Sequence, residues 1–349
     1  MRARDSGAKA ALLQVAFEKR ADPSPPGSPS EAGRLLYWPK MTTNASRGPL
    51  IWDVVGVGAN SVDFVTVLPA HPQPQGPLAK MRIRSHTICC GGQTATAMVT
   101  CASLGLRTKY VGATGTDENG RRIREELARR RIDTSGLVVR DAANQFALVI
   151  LDETTGERIV LWDRDERLAL HEHELPLEVL ASARLVHVDD VDDGAAIRAA
   201  RLAGKSGSIV TSDVDRLTDR TEELIAEVSY PIFAEHVPLA LAGTPDMESA
   251  LRKLRRRFSQ CLCVTLGARG AMALDGDRLC YSPGFEVKAV DTTGAGDVFR
   301  GGFIFATLQG WSVDRALRFA NAAAAVSCTR LGAMNGVPTL DEVEALLGS

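Results

Sequence analysis

Periodic order in this chain begins near Ile51. IWDVVGVG (51–58) is an apolar, β-branched run ending in glycine, the pattern of a strand buried on both faces. GGQTATAMVTCASLG (91–105) spaces its apolar residues at helical intervals and stops at glycine. TKYVGATG then reads as a strand and NGRRIREELARRRI as an amphipathic helix. Further on, ARLVHVDD, GSIVTSDVD, YPIFAE and CLCVTLG read as strands, each followed by a helical pattern, and the chain ends helical from Asp297 through Val326 and again from Leu340. Such alternation predicts an α/β fold, Rossmann-like, with a mostly parallel central sheet and helices on both faces.

Two stretches break the alternation. QFALVILDETTGERIVLWD (145–163) is a pair of β-like runs around the turn ETTGE, a hairpin, and the Pro-rich loop with MRIRSHTI between Val65 and Ile88 adds exposed strands. Together they predict a small β-strand lid, from about 64–90 and 145–163, on a domain spanning 51–349. Residues 1–50 differ: PSPPGSPSEAGR has a linker composition, so the segment is expected to be a poorly ordered extension, with Met41 the expected natural start.

Of 349 residues, 45% are apolar and 24% charged, a globular balance, and the net charge of −2 supplies no field that would draw nucleic acid or anionic lipid. The basic runs RRIREELARRR and LRKLRRRF carry apolar residues at helical spacing and read as solvated helix faces. Seven cysteines lack any framework spacing, which indicates free thiols in a reducing, cytoplasmic setting, with Cys261 and Cys263 as core residues. His171 and His173 find no further ligands and read as surface residues. No apolar run reaches about 18 residues, so no membrane span is expected, and the N-terminus lacks a signal-peptide pattern.

GVGANS (56–61) imitates a dinucleotide fingerprint, but Ser61 stands at the third glycine position, strand pattern follows directly, and the expected acidic residue is missing. A nicotinamide enzyme is a poor fit. Asp63 lies past the first strand, where open α/β sheets bind ligands; a turn aspartate explains it equally well. Gly91-Gly92-Gln93 opens a helix, and Asp213 and Asp215 follow a strand. VTLGARGA (264–271) is a strand and a glycine loop that a hairpin turn into AMALDGDRL also explains. No Walker A pattern occurs.

DTTGAGDVFRGGF (291–303) poses a sharper problem. Asp291, Thr292 and Thr293 already offer three helix caps, so Gly294 and Gly296 are surplus to capping. They would expose the backbone N–H groups of a helix N-terminus to an anion, yet Asp297 puts a carboxylate in the same place. Phosphoryl transfer to a hydroxyl reconciles the two. Asp297 would act as base toward the acceptor, and the N–H groups of Gly294 to Asp297 would hold the phosphoryl oxygens.

The same stretch resembles the C-terminal signature of the ribokinase-like (PfkB) carbohydrate kinases, and GGQTATAMVTCASLGLRTKYVGATGTDENGRRIREEL resembles their N-terminal signature. The resemblance covers Ile51 to Gly348. It implies a Rossmann-like domain with a β lid, and ATP with a divalent cation, Mg2+, phosphorylating a small sugar or nucleoside hydroxyl. By motif match it implies Asp297 as catalytic base and Gly294, Ala295 and Gly296 as the anion hole. Asp63, Gly91, Gly92 and Gln93 would grip the acceptor, while Thr265, Gly267 and Gly270 of the VTLGARG loop, with Asn321, would hold the nucleotide. GAMNGVP would support a monovalent cation such as K+. Two departures stand out. Thr96 replaces the asparagine many members carry in their acceptor motif, and FAEHV replaces their NxxE motif, leaving Glu235 as the substitute toward the metal. The resemblance favours a ketohexose- or fructose-type sugar; the alternatives are a nucleoside or sugar-phosphate acceptor, for which Arg164 and Arg167 would serve if they are not lid-surface charge, and a non-catalytic sugar- or nucleotide-binding regulator. A homodimer paired through the lid is expected, because exposed strands need their edges covered.

Overall fold

The first strand, β1 (Trp52–Val57), buries its last four residues and has a parallel neighbour on each side in the main sheet. The structure, a computed structural model, describes residues 49–348, so the expected extension lies almost wholly outside the described residues. β2 (Ser61–Leu68) and β3 (Ser85–Gly91) pair antiparallel, and α1 (Gln93–Ser103) buries eight consecutive residues, Thr94 to Cys101. A helix with one wet face could not bury such a run; this one is covered on both sides. β4 (Thr108–Val111) returns beside β1, β5 (Ala113–Gly115) branches off, and α2 (Glu118–Arg129) starts at Asp117, whose side chain accepts from Gly120 N. β6 (Val138–Arg140) pairs with β5, and the expected hairpin follows as β7 (Phe146–Asp152) and β8 (Arg158–Asp163). Asp152 Oδ1 accepts from Thr154 N and Thr155 N, which is why the chain turns there.

Regular alternation then runs through α3 (Leu177–Ala181), β9 (Ala183–Val188), α4 (Asp193–Lys205), β10 (Ile209–Val214), α5 (Thr221–Glu227), β11 (Tyr230–Ala234), α6 (His236–Ala242), α7 (Met247–Arg255) and β12 (Leu262–Thr265). Here the helical continuation gives way to the alternative, a hairpin turn. β12 is followed not by a helix but by an antiparallel pair, β13 (Ala271–Asp275) and β14 (Arg278–Ser282), because Gly267 and Gly270 close a tight turn and the alternating Ala271 and Ala273 face the core. The helical end is also divided. α8 (Ala295–Leu308) and α9 (Val313–Ser327) are separated at Gly310, whose φ is 73°, with Ser312 capping the second helix. α10 (Ala333–Gly336) and α11 (Leu340–Gly348) complete the chain.

The main sheet has the order β14-β13-β12-β11-β10-β9-β1-β4 and is parallel from β12 to β4. One apolar core fills the side of α1, α8 and α9, and a second the side of α4, α5 and α7. Gly301 and Gly302 let α8 press against its neighbours: a Cβ on Gly301 would stand 2.4 Å from Thr100 Cβ, and one on Gly302 3.1 Å from Ala320 Cα. A separate four-stranded sheet, β3-β2-β7-β8, forms the lid. The basic runs lie on α2 and α7, where arginines pair with glutamates of their own helices, as solvated faces should.

Candidate active site

The N-terminus of α8 meets the lid sheet, where Arg158 of β8 hydrogen-bonds Thr292 and Gly91 of β3 lies beside Ala333, and open α/β sheets bind ligands at the carboxyl ends of their parallel strands. At this junction lies Gly294, the residue before α8, with φ 78°; a side chain there would be strained in the backbone and would meet Ala333 Cβ at 2.5 Å. None of the three expected caps does that work. Asp291 instead accepts from Thr293 N and Gly332 N, both at 2.8 Å, tying the loop before α8 to the loop before α10, and the first turn of α8 has no side-chain cap. Ala295 N reaches Thr292 O at 3.3 Å, while the N–H groups of Gly296 and Asp297 have no protein acceptor among the described residues, and an anion could dock there.

Asp297 lies in that first turn and is half-buried. Burial pushes its carboxyl up to about 7; the Arg300 guanidinium pulls the other way, and the charges of Asp63, Asp215 and Asp189 add to the rise. A group titrating there is poised to take a proton near neutral pH.

Asp63 belongs to β2, inside the lid sheet, opposite Cys89 of β3. Ser61 Oγ donates to it at 3.0 Å, and burial lifts its carboxyl to about 6. Gly91 allows this carboxylate close in, since a Cβ on it would lie 2.3 Å from Asp63 Oδ2. Gly92 precedes α1 with φ 98°, and Gln93 is its first residue. The structure thus brings Asp63, Gly91, Gly92 and Gln93 together at one wall.

Three features of that wall escaped the sequence reading. Asp189, after β9, accepts from Ala59 N (2.7 Å) and Thr94 Oγ1 (2.8 Å), and burial raises its carboxyl to about 6. Asn60 donates to Tyr110 Oη and Ala113 O and accepts from Asn144, pinning the β1–β2 turn to the lid's other arm. Arg300, one turn beyond Asp297, forms a buried ion pair with Asp213. The acidic pair in HVDD follows a strand as SDVD does, and that position was the available signal.

At the other end, Ala234 of β11 pairs with Thr265 of β12, which sets Glu235 beside the Gly267–Arg269 turn. Glu235 is half-buried and ion-paired to Arg269. Asn321 lies buried on α9 and donates to Ser282 O (2.9 Å) and Pro283 O (3.2 Å); Gly270 packs against the same Ser282 carbonyl. Its amide is spent on holding that loop, so Asn321 acts there through the backbone it fixes. Arg164 and Arg167 are committed to Asp192 and Asp165. Among the described residues, no three acidic, His or Cys side chains form a metal cluster. Mg2+ usually takes one or two carboxylates, several waters and substrate phosphates; Glu235 is the carboxylate at this end, and Arg269 engages it.

The pattern of pfkB family carbohydrate kinases matches residues 53–340. The chain belongs to this family. The kinase is 31% identical to an ATP-dependent ribose-1-phosphate kinase of Halopiger xanaduensis over 76% of this chain and 88% of that one. It is 27% identical to a ribokinase of Haemophilus influenzae over 82% and 95% of the two chains, and 29% identical to rice (Oryza sativa) fructokinase-1 over 85% and 98%. The crystal structure of Thermotoga maritima ribokinase superposes with a TM-score of 0.71 at 25% identity, covering 86% of this kinase and all (100%) of that chain. The reaction class is that of an ATP-dependent carbohydrate phosphotransferase. No helix among the described residues is long and apolar enough to cross a membrane.

Proposed function

We propose that this kinase transfers the γ-phosphoryl group of ATP to a hydroxyl of a small neutral sugar, ketohexose- or fructose-like, with Asp297 as general base. The observation that carries the reading is the uncapped N-terminus of α8 with Asp297 in its first turn. Asp297 accepts the hydroxyl proton, and the N–H groups of Gly296 and Asp297, with that of Ala295 shared with Thr292 O, hold the charge on the transferred group. Arg158, on the lid strand β8, hydrogen-bonds Thr292 at the same helix end and adds a positive charge beside it. Asp63, Gly91, Gly92 and Gln93 grip the acceptor; Thr265, Gly267 and Gly270 flank the nucleotide, with Asn321 behind them. Mg2+, held by Glu235 and the nucleotide phosphates, would neutralise charge on the phosphates.

A neutral acceptor is favoured by the electrostatics of its wall. Asp63, Asp189 and Asp297 all face inward, while Arg164 and Arg216 are spent on Asp192 and Asp190. A carboxylate without a cationic partner, such as Asp63, repels a phosphorylated sugar. The sugar-phosphate reading keeps one observation in its favour, the 31% identity to a ribose-1-phosphate kinase. ADP release with MgATP on ketoses, aldoses, nucleosides and sugar phosphates decides between them, with Asp297→Asn as control. Turnover on a neutral sugar that falls by about 10²-fold or more in the control is the expected result. Turnover confined to sugar phosphates refutes the neutral acceptor, and binding without ADP release points to a regulator.

The same reading places the enzyme in the cytoplasm, where its seven free thiols stay reduced, and K+ near Gly332, tested by exchanging K+ for tetramethylammonium. It makes the lid a dimer contact: all six residues of β8 are exposed, with Leu161 at 53% and Trp162 at 60%. Sedimentation should then show a dimer that Trp162→Lys turns into a monomer.

A further inference from the structure

Beneath the first turn of α8 lies a buried column of polar side chains that the proposed mechanism leaves unused. His187 of β9 hydrogen-bonds Thr211 of β10 at 2.9 Å; Asp213 follows Thr211 on the same face of β10, and Arg300 reaches it from α8. Arg300 is only 4% exposed and Asp213 1%. The guanidinium is poorly satisfied for so buried a group. Apart from Asp213 it has a long contact of 3.4 Å to Ile232 O, and its Nε has no hydrogen-bond partner among the described residues. A buried pair of this kind is a weak source of stability, and an apolar pair of similar volume is often as good or better. Its placement gives it another use. Arg300 stands three residues after Asp297 on one helix face, and its Nη1 would lie 2.7 Å from a Cβ on Gly296, directly behind the anion-binding turn.

We propose that Arg300, anchored by Asp213, is a positioning residue for Asp297 and supplies the positive charge that balances the base. The carboxylates whose charges reach Asp297 are those of Asp63 from the lid, Asp189 after β9, and Asp213 and Asp215 at the end of β10; Arg300 is the cation set among them. His187, held neutral by its burial and by Arg300, cannot share that task. Without the guanidinium, the acidic wall would keep Asp297 protonated at neutral pH and unable to accept the hydroxyl proton. The idea rests on Asp297 being the base.

The test compares Asp213→Asn alone with Asp213→Asn/Arg300→Met and Asp213→Asn/Arg300→Lys, so that Asp213 is never left as a buried carboxylate without its partner. Carboxyl ¹³C NMR of ligand-free protein, with the Asp297 resonance assigned through Asp297→Asn, follows its titration without needing an acceptor. The expected result is a titration midpoint about one to three pH units higher with Arg300→Met than with Arg300 kept, and recovery with Arg300→Lys. The acid limb of kcat/KM should move with it, while KM for ATP stays put. An unchanged midpoint in folded Arg300→Met protein, or no recovery with lysine, overturns the inference. Full turnover by Asp297→Asn would instead overturn the base assignment, so the two failures are distinguishable.

Discussion

Replacing Asp297 by asparagine should remove activity and raise stability, and the second effect follows from the site's electrostatics. The carboxyl titrates at about 7 in the fold against an ordinary value of 3.8, chiefly because it is buried among other acids. Its folded pKa is raised, so ionisation is disfavoured in the native state. That penalty is absent below about pH 4, grows through the interval, and is fully present above about pH 7. A shift of roughly three units at 1.36 kcal/mol each sets an upper bound of about 4 kcal/mol. Half-burial and coupling to Asp63 and Asp189 reduce this toward about 2 kcal/mol. Asparagine carries no charge at any pH and escapes the penalty. Urea unfolding of ligand-free wild type and Asp297→Asn from pH 4 to 8 should give equal midpoints at the acid end and a more stable variant at the alkaline end. A variant that is less stable at pH 8, or a difference independent of pH, would refute the argument.

Gly294→Ala places a Cβ at φ 78° and 2.5 Å from Ala333, so calorimetry should show a loss of at least about 1–2 kcal/mol, with turnover falling further as the anion-binding turn shifts. Asn321→Leu strips the amide from Ser282 O and Pro283 O; steady-state kinetics should show KM for ATP rising more than kcat falls, with about 1–3 kcal/mol lost in urea unfolding. Phe303→Ala removes a ring buried between Tyr230 and Phe299, and should cost about 3–5 kcal/mol at an unchanged m-value while KM for both substrates holds.

The alternation of apolar runs carried most of the architecture, because a strand buried on both faces and an amphipathic helix each leave a distinct period. What it missed were turns governed by single residues. After Thr265 the pattern allows a helix as well as a hairpin turn, and Gly267 and Gly270 settle it as the hairpin; across Gly310 the helical pattern runs on where the chain breaks. The site divided in the same way. GAGD was legible because glycines and an acid at a helix start conflict with ordinary capping. Asp189 and Arg300 were not, since one looks like any turn aspartate and the other like any helix arginine until the fold buries them.

That division has a physical origin. A functional group legible in sequence breaks a local rule, as Asp297 does at an anion-binding helix end. Arg300 breaks its rule only in three dimensions, where a charged side chain lies 4% exposed against Asp213 some 87 positions earlier in the chain. Such a pair costs desolvation that neither strand nor helix pattern requires. The crowding of Asp63, Asp189, Asp213 and Asp297 is costly in the same way, and each is held where parallel strands or a helix end must meet. The fold places these acids together by its topology, and a single buried guanidinium then decides how much negative charge the base can carry when a hydroxyl arrives.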